Sequence, residues 1–112
     1  MLLDKKGKLV KSLDFRGTSI ERLDRLTARE IFLMVASALQ EVNLKEKFKA
    51  ADLAPSDWSK TAYLPIIAAC DNDRTAALRL FGVIIKQALI MSPLLFSQEN
   101  EGDFCATSYT RH

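Results

Sequence analysis

The residues able to do chemistry are few in this chain, and their spacing sets a limit on what they can do. Histidine occurs once, as His112. A histidine at that position has no following structure to hold it as a general base must be held, which argues against nucleophilic triads. The two cysteines, Cys70 and Cys105, have no histidine or cysteine at ligand spacing, so the common zinc sites are not expected. Asp71-Asn72-Asp73 alternates oxygen ligands as a calcium loop does, but Ala76 stands where that loop needs glycine and Gly82 where it needs glutamate. Helix capping is the expected role of the triplet. The four glycines, Gly7, Gly17, Gly82 and Gly102, are scattered and build no phosphate-cradling loop. Acids such as Asp52 and Asp57 are not brought into one cleft by any sequence rule. The chain therefore reads as non-enzymatic, with no cofactor and no metal.

Composition agrees with a small folded unit. The 112 residues suit one domain, and 48% hydrophobic with 27% charged residues is an ordinary globular balance. Sixteen Lys and Arg against fourteen Asp and Glu leave a formal charge of +2. That is too weak a bias to imply nucleic acid by itself. Lys5, Lys6, Lys8 and Lys11 make a basic edge near the start, which reads as a solvated face. Cys70 sits in the apolar run Ile66-Ile67-Ala68-Ala69-Cys70 and Cys105 in a polar stretch. Such a pair makes a poor disulfide framework and fits a reducing cytoplasm. Asp4 and the early lysines interrupt any signal-peptide core, and the most apolar run, 80–91, is broken by Lys86 and Gln87.

The elements follow from patterning. Asp4-Lys5-Lys6-Gly7 is a turn signal, predicting a hairpin of Leu2-Leu3 against 9–15 within residues 1–16. Thr18 with Glu21, and Thr27 with Glu30, have capping-box spacing. After Thr27, the residues Ile31, Met34, Val35, Ala38, Leu39 and Val42 follow helical spacing, while Phe32 and Ala36 widen the face. Residues 44–53 read as a shorter amphipathic helix, with Leu44, Phe48 and Ala51 inward and Lys45, Lys47 and Lys49 outward. Ser56 is expected to cap a segment over 58–64, which Pro65 kinks or restarts. Asn72 or Asp73 should cap the strongest helix, residues 73–91, which is apolar around most of its circumference. Gly82 inside it costs ~1 kcal/mol relative to alanine, a cost consistent with a close helix crossing. Leu94 to Phe96 should fold back on the core. The expected fold is mainly α: a bundle of about four helices over residues 1–96, with a short N-terminal hairpin and a mobile polar tail over 97–112.

Two binding roles compete. A helix apolar nearly all round needs more cover than two or three neighbours provide, which points to a protein partner and first to a second copy of the chain. Phe81, Ile85 and Leu89 would form the contact row, with Gly82 at the crossing and Trp58 as an outlying anchor. The alternative is a helix-turn-helix DNA binder over 44–64, its recognition helix presenting Ser59, Lys60, Thr61 and Tyr63. Against it, Asp57 repels phosphate, Pro65 truncates the helix, and no Arg, Asn or Gln is present there to read bases.

Two local resemblances bear on these roles. Leu26-Thr27-Ala28-Arg29-Glu30 resembles the opening of LuxR-type DNA-binding domains. An extended N-terminus, Gly17 and the same Leu-Thr-x-Arg-Glu stretch leading into helices is similar to small phage tail assembly chaperones, over roughly residues 9–35. The second resemblance implies an all-helical body and a tail protein with exposed apolar segments as partner. An accessory or inhibitor protein of a phage or mobile element reads the same way.

Overall fold

The computed structural model describes residues 1–13, 18–99 and 107–112, excepting the side chains of 18–20. In chain order its elements are β1 (Leu2–Leu3), β2 (Leu9–Val10), α1 (Thr18–Leu23), α2 (Ala28–Val42), β3 (Lys47–Lys49), 3-10 turns at Ala50–Leu53 and Trp58–Lys60, α3 (Leu64–Ala69), α4 (Arg74–Met91), β4 (Phe96–Gln98) and β5 (Ser108–Arg111).

Local chemistry accounts for most of the boundaries. Asp4 Oδ1 accepts from the backbone N–H of Lys6 at 2.9 Å and of Lys8 at 2.8 Å, while Gly7 takes φ +79°. The turn so formed pairs Leu2 with Val10 and Leu3 with Leu9, so the hairpin stops well short of residue 15. Asp14 and Phe15 lie outside the described residues, as does the Thr18 side chain on which the expected Thr18–Glu21 cap depends. Thr27 starts a helix of its own: its hydroxyl accepts from Glu30 N at 3.1 Å, and Glu30 Oε1 accepts from Thr27 N at 2.9 Å. Asp73 Oδ1 accepts from Thr75 N at 3.0 Å and Ala76 N at 3.2 Å, capping α4. Before it, Asp71 and Asn72 adopt positive φ, and Arg25 from the α1–α2 turn holds both the Asp71 carboxylate and the Ala69 carbonyl at 2.9 Å. The Asp71-Asn72-Asp73 triplet is thus occupied in ending α3 and starting α4.

The expected helical bundle is not what forms. Alongside four α-helices, the described residues build a five-stranded mixed sheet in the order β2-β1-β4-β5-β3, so the fold is α+β. β1 and β4 run parallel and the other neighbours antiparallel. Two segments overturn the expectation. Residues 44–53 are a strand and a 3-10 turn, not a helix: Phe48 faces inward between exposed Lys47 and Lys49, an alternation of period two, and Leu44 is exposed. The polar tail supplies β5, which fills the gap between β4 and β3 by pairing Thr110 with both Ser97 and Lys47. A mobile tail is therefore the wrong description of 107–112, where Tyr109 is wholly buried.

Inside, α4 packs against α1, α2, α3 and the Ala50–Leu53 turn, most extensively against α2. The inward sheet residues Leu2, Phe48, Phe96 and Tyr109 join the same core. One aromatic cluster sits on the sheet, with Phe48 at 5.6 Å from Tyr109 and 6.3 Å from Phe96. A second surrounds Phe81, which meets Tyr63 at 4.9 Å and Trp58 at 5.7 Å, both edge-on. The amino group of Met1 donates to the carbonyls of Leu89 at 3.0 Å, Leu94 at 2.8 Å, and Ser92, where the end of α4 leaves acceptors unpaired. Among the described residues, no helix is long and apolar enough to cross a membrane.

Candidate functional site

An apolar groove opens where α1, α2 and α4 diverge. Its floor is Val83 and Ile84, each 1% exposed. Ile31, Phe32 and Val35 of α2 form one wall, Gln87 and Met91 of α4 the other, and Leu13 with Leu23 close the ends. The enclosed volume is about 400 Å³. Among the described lining residues Gln87 is the only polar side chain, and these residues offer dispersion and desolvation rather than directed hydrogen bonds.

The rim distinguishes this groove from an ordinary packing defect. Phe32 is 70% exposed and Met91 59%. The cause lies in the helix period. Met34, Val35, Ala38 and Val42 carry the inward face of α2, and Phe32 falls off that stripe toward solvent. Single exposed apolar residues are unremarkable, but Phe32 and Met91 line the same apolar recess and together form a patch.

The residues expected to form an interaction row are elsewhere. Phe81, Ile85 and Leu89 are wholly buried within the chain, Gly82 is buried with them, and Trp58 is 8% exposed against Phe81. Cover for α4 comes from α1, α2, α3 and the Ala50–Leu53 turn, with Trp58 and Tyr63 edge-on against Phe81. Residues 44–63 contain no α-helix, and α3 starts only at Leu64, so the helix-turn-helix arrangement is not formed. Of its four contact residues, Ser59 and Lys60 are exposed, Thr61 donates its hydroxyl to the Trp58 carbonyl at 3.0 Å, and Tyr63 is buried. Asp57, rather than Ser56, caps this turn, accepting from Ser59 N at 3.0 Å and Ser59 Oγ at 2.6 Å, which holds its carboxyl below the usual range.

Groups with chemical potential outside the groove are structurally engaged. His112 is held after all: its backbone N–H donates to Leu95 O at 2.8 Å, and Nε2 lies 2.6 Å from Ser97 Oγ. This pair is exposed and lines neither the groove nor the smaller cavity near the hairpin. Tyr63 presents its hydroxyl toward Ser37 and Glu41 without closing a well-formed hydrogen bond. Burial pushes the Tyr63 phenol up to about 12 and raises the Glu41 carboxyl. The Cys70 thiol is buried, free and likewise raised by burial, whereas Cys105 lies outside the described residues. No group of three or more metal-ligating side chains occurs among the described residues.

Comparison of the chain with protein-family models, with curated proteins and with solved structures finds no match in any of the three. The mixed sheet also departs from the all-helical body implied by the phage tail chaperone resemblance.

Proposed function

We propose that this chain is a non-catalytic protein–protein interaction module that pairs with a second copy of itself across the α2–α4 groove. The observation that carries the reading is the 70% exposure of Phe32 at the lip of an apolar recess. The same patch carries both a projecting ring and a hollow, which is the self-complementarity a two-fold interface requires. Burying Phe32 and Met91 of both copies would remove two large exposed apolar side chains at the groove from water. A cytoplasmic setting belongs to this proposal and is supported by the free, buried thiol of Cys70.

Sedimentation equilibrium of the wild-type chain and of Phe32→Ser tests it. The expected result is a concentration-dependent dimer for wild type and a monomer for the variant, with unchanged circular dichroism. A wild-type monomer throughout the micromolar range overturns self-association. An identical dimer in Phe32→Ser removes this groove as the interface.

A further inference from the structure

Tyr63 is 2% exposed, and its hydroxyl is sealed from solvent without a well-formed hydrogen bond. The Oε2 atom of Glu41 is sealed in the same way. The two side chains approach each other across the junction of α2 and α3. Ser37, one helical turn before Glu41, presents its hydroxyl to the same phenol. Tyr63 immediately precedes α3, its carbonyl accepts from Ile66 N at 3.0 Å, and its ring stands edge-on against Phe81 of α4. Whatever holds the phenol therefore ties α2 to the start of α3.

Three oxygens in a row can be joined in two directions. With Glu41 ionised, Ser37 donates to Tyr63 and Tyr63 donates to the carboxylate. With Glu41 protonated, the carboxyl donates to Tyr63 and Tyr63 donates to Ser37, whose own hydroxyl turns to a carbonyl of the preceding helical turn. Neither chain leaves a donor without an acceptor. Charge separates them: the first buries an anion, which burial penalises, and the second buries none. Burial accordingly raises the Glu41 carboxyl, against the opposing pull of the Tyr63 hydroxyl and of Lys45. Those two are the titratable groups that act on Glu41; among the described residues, α4 and the sheet bring none to it.

We propose that Ser37, Tyr63 and Glu41 form a proton-operated clasp between α2 and α3, in which a solvent proton taken up by Glu41 reverses the hydrogen-bond chain and tightens the junction. None of the three lines the α2–α4 groove, so the clasp does not rest on self-association. Unfolded chains lose this proton near the ordinary value of 4.5 and folded chains above it. The clasp's contribution to stability is therefore complete below 4.5 and lost as pH rises through the folded midpoint. Carboxyl NMR titration of isotopically labelled protein, with the Glu41 signal assigned by its absence from Glu41→Gln, tests the device. Expected are a Glu41 midpoint above 4.5 in wild type and a further rise in Tyr63→Phe, which keeps the ring but removes the hydroxyl. Exchange of the Ile66 amide, corrected for its intrinsic pH dependence, should slow in wild type as Glu41 takes up its proton and show no such step in Glu41→Gln. A midpoint at or below 4.5, a midpoint unmoved by Tyr63→Phe, or an Ile66 step that persists in Glu41→Gln overturns the proposal.

Discussion

The α2–α4 pair has two sides, and they are finished differently. On the side of Phe81, Ile85 and Leu89, the chain supplies its own cover: Trp58 and Tyr63 stand edge-on against Phe81, the Ala50–Leu53 turn packs on α4, and those three residues have no exposed surface. On the side of Phe32 and Met91, the described residues leave a hollow with apolar walls and an apolar lip. Both sides come from helices of similar apolar content. Hydrophobicity alone therefore does not say which face a helix uses internally; that depends on which other elements reach it.

Substitutions on the two sides should separate them widely. Ile85→Lys places an unpaired charge in the closed side and should cost at least about 4 kcal/mol, read as loss of the cooperative transition in urea. Tyr109→Ala, in the segment taken for a tail, should cost about 3 kcal/mol in the same measurement, because a buried ring leaves a cavity. Alkali should weaken the closed side as well. Tyr63, held near 12 in the folded state, ionises near its ordinary value of 10 once unfolded, so stability present below pH 10 declines as pH rises through 12. Burial raises Tyr109 in the same direction, and the Tyr63 shift alone amounts to roughly 2 kcal/mol. Ultraviolet difference spectra followed with the unfolding midpoint would expose a normal tyrosine titration and so refute this. Thr27→Ala removes the cap of α2, which lines the open side, and should lower stability by about 1 kcal/mol. Phe32→Ser should change it by no more than about 0.5 kcal/mol while abolishing dimerisation.

How much of this could be read beforehand varies with the range of the interaction. Caps and turns are local, so the Asp4–Gly7 turn, the Thr27–Glu30 box spacing and a cap at Asn72 or Asp73 were legible from three or four residues each, while the separate start of α2 at Thr27 and the choice of Asp73 came from the structure. The burial of α4 was legible from its apolar circumference, whereas Trp58, expected as an anchor, is buried against Phe81. Strands β3 and β5 were not, because three or four residues with lysine, serine and threonine outward satisfy no periodicity test. Their pairing spans more than half the chain, and only that pairing explains why Phe48 and Tyr109 point inward. The Ser97–His112 contact was hidden for the same reason. The open groove did leave a trace, in that Phe32 sits off the inward stripe of its helix. That trace was visible as a widened face, but its meaning required knowing that α4 already had its cover.

The position of β5 has a consequence for biosynthesis. It lies between β4 and β3, so it is interior to the sheet although it is the last of these five strands in chain order. Until Ser108–Arg111 emerges, β3 has no neighbour, Phe48 lacks its aromatic partner Tyr109, and two strand edges stand open to other nascent chains. The helical half can collapse early on local contacts, but the sheet must wait for a closure of high sequence separation. The interval between the two is when this chain is most exposed to aggregation, and when holding it by a general chaperone would be of greatest use.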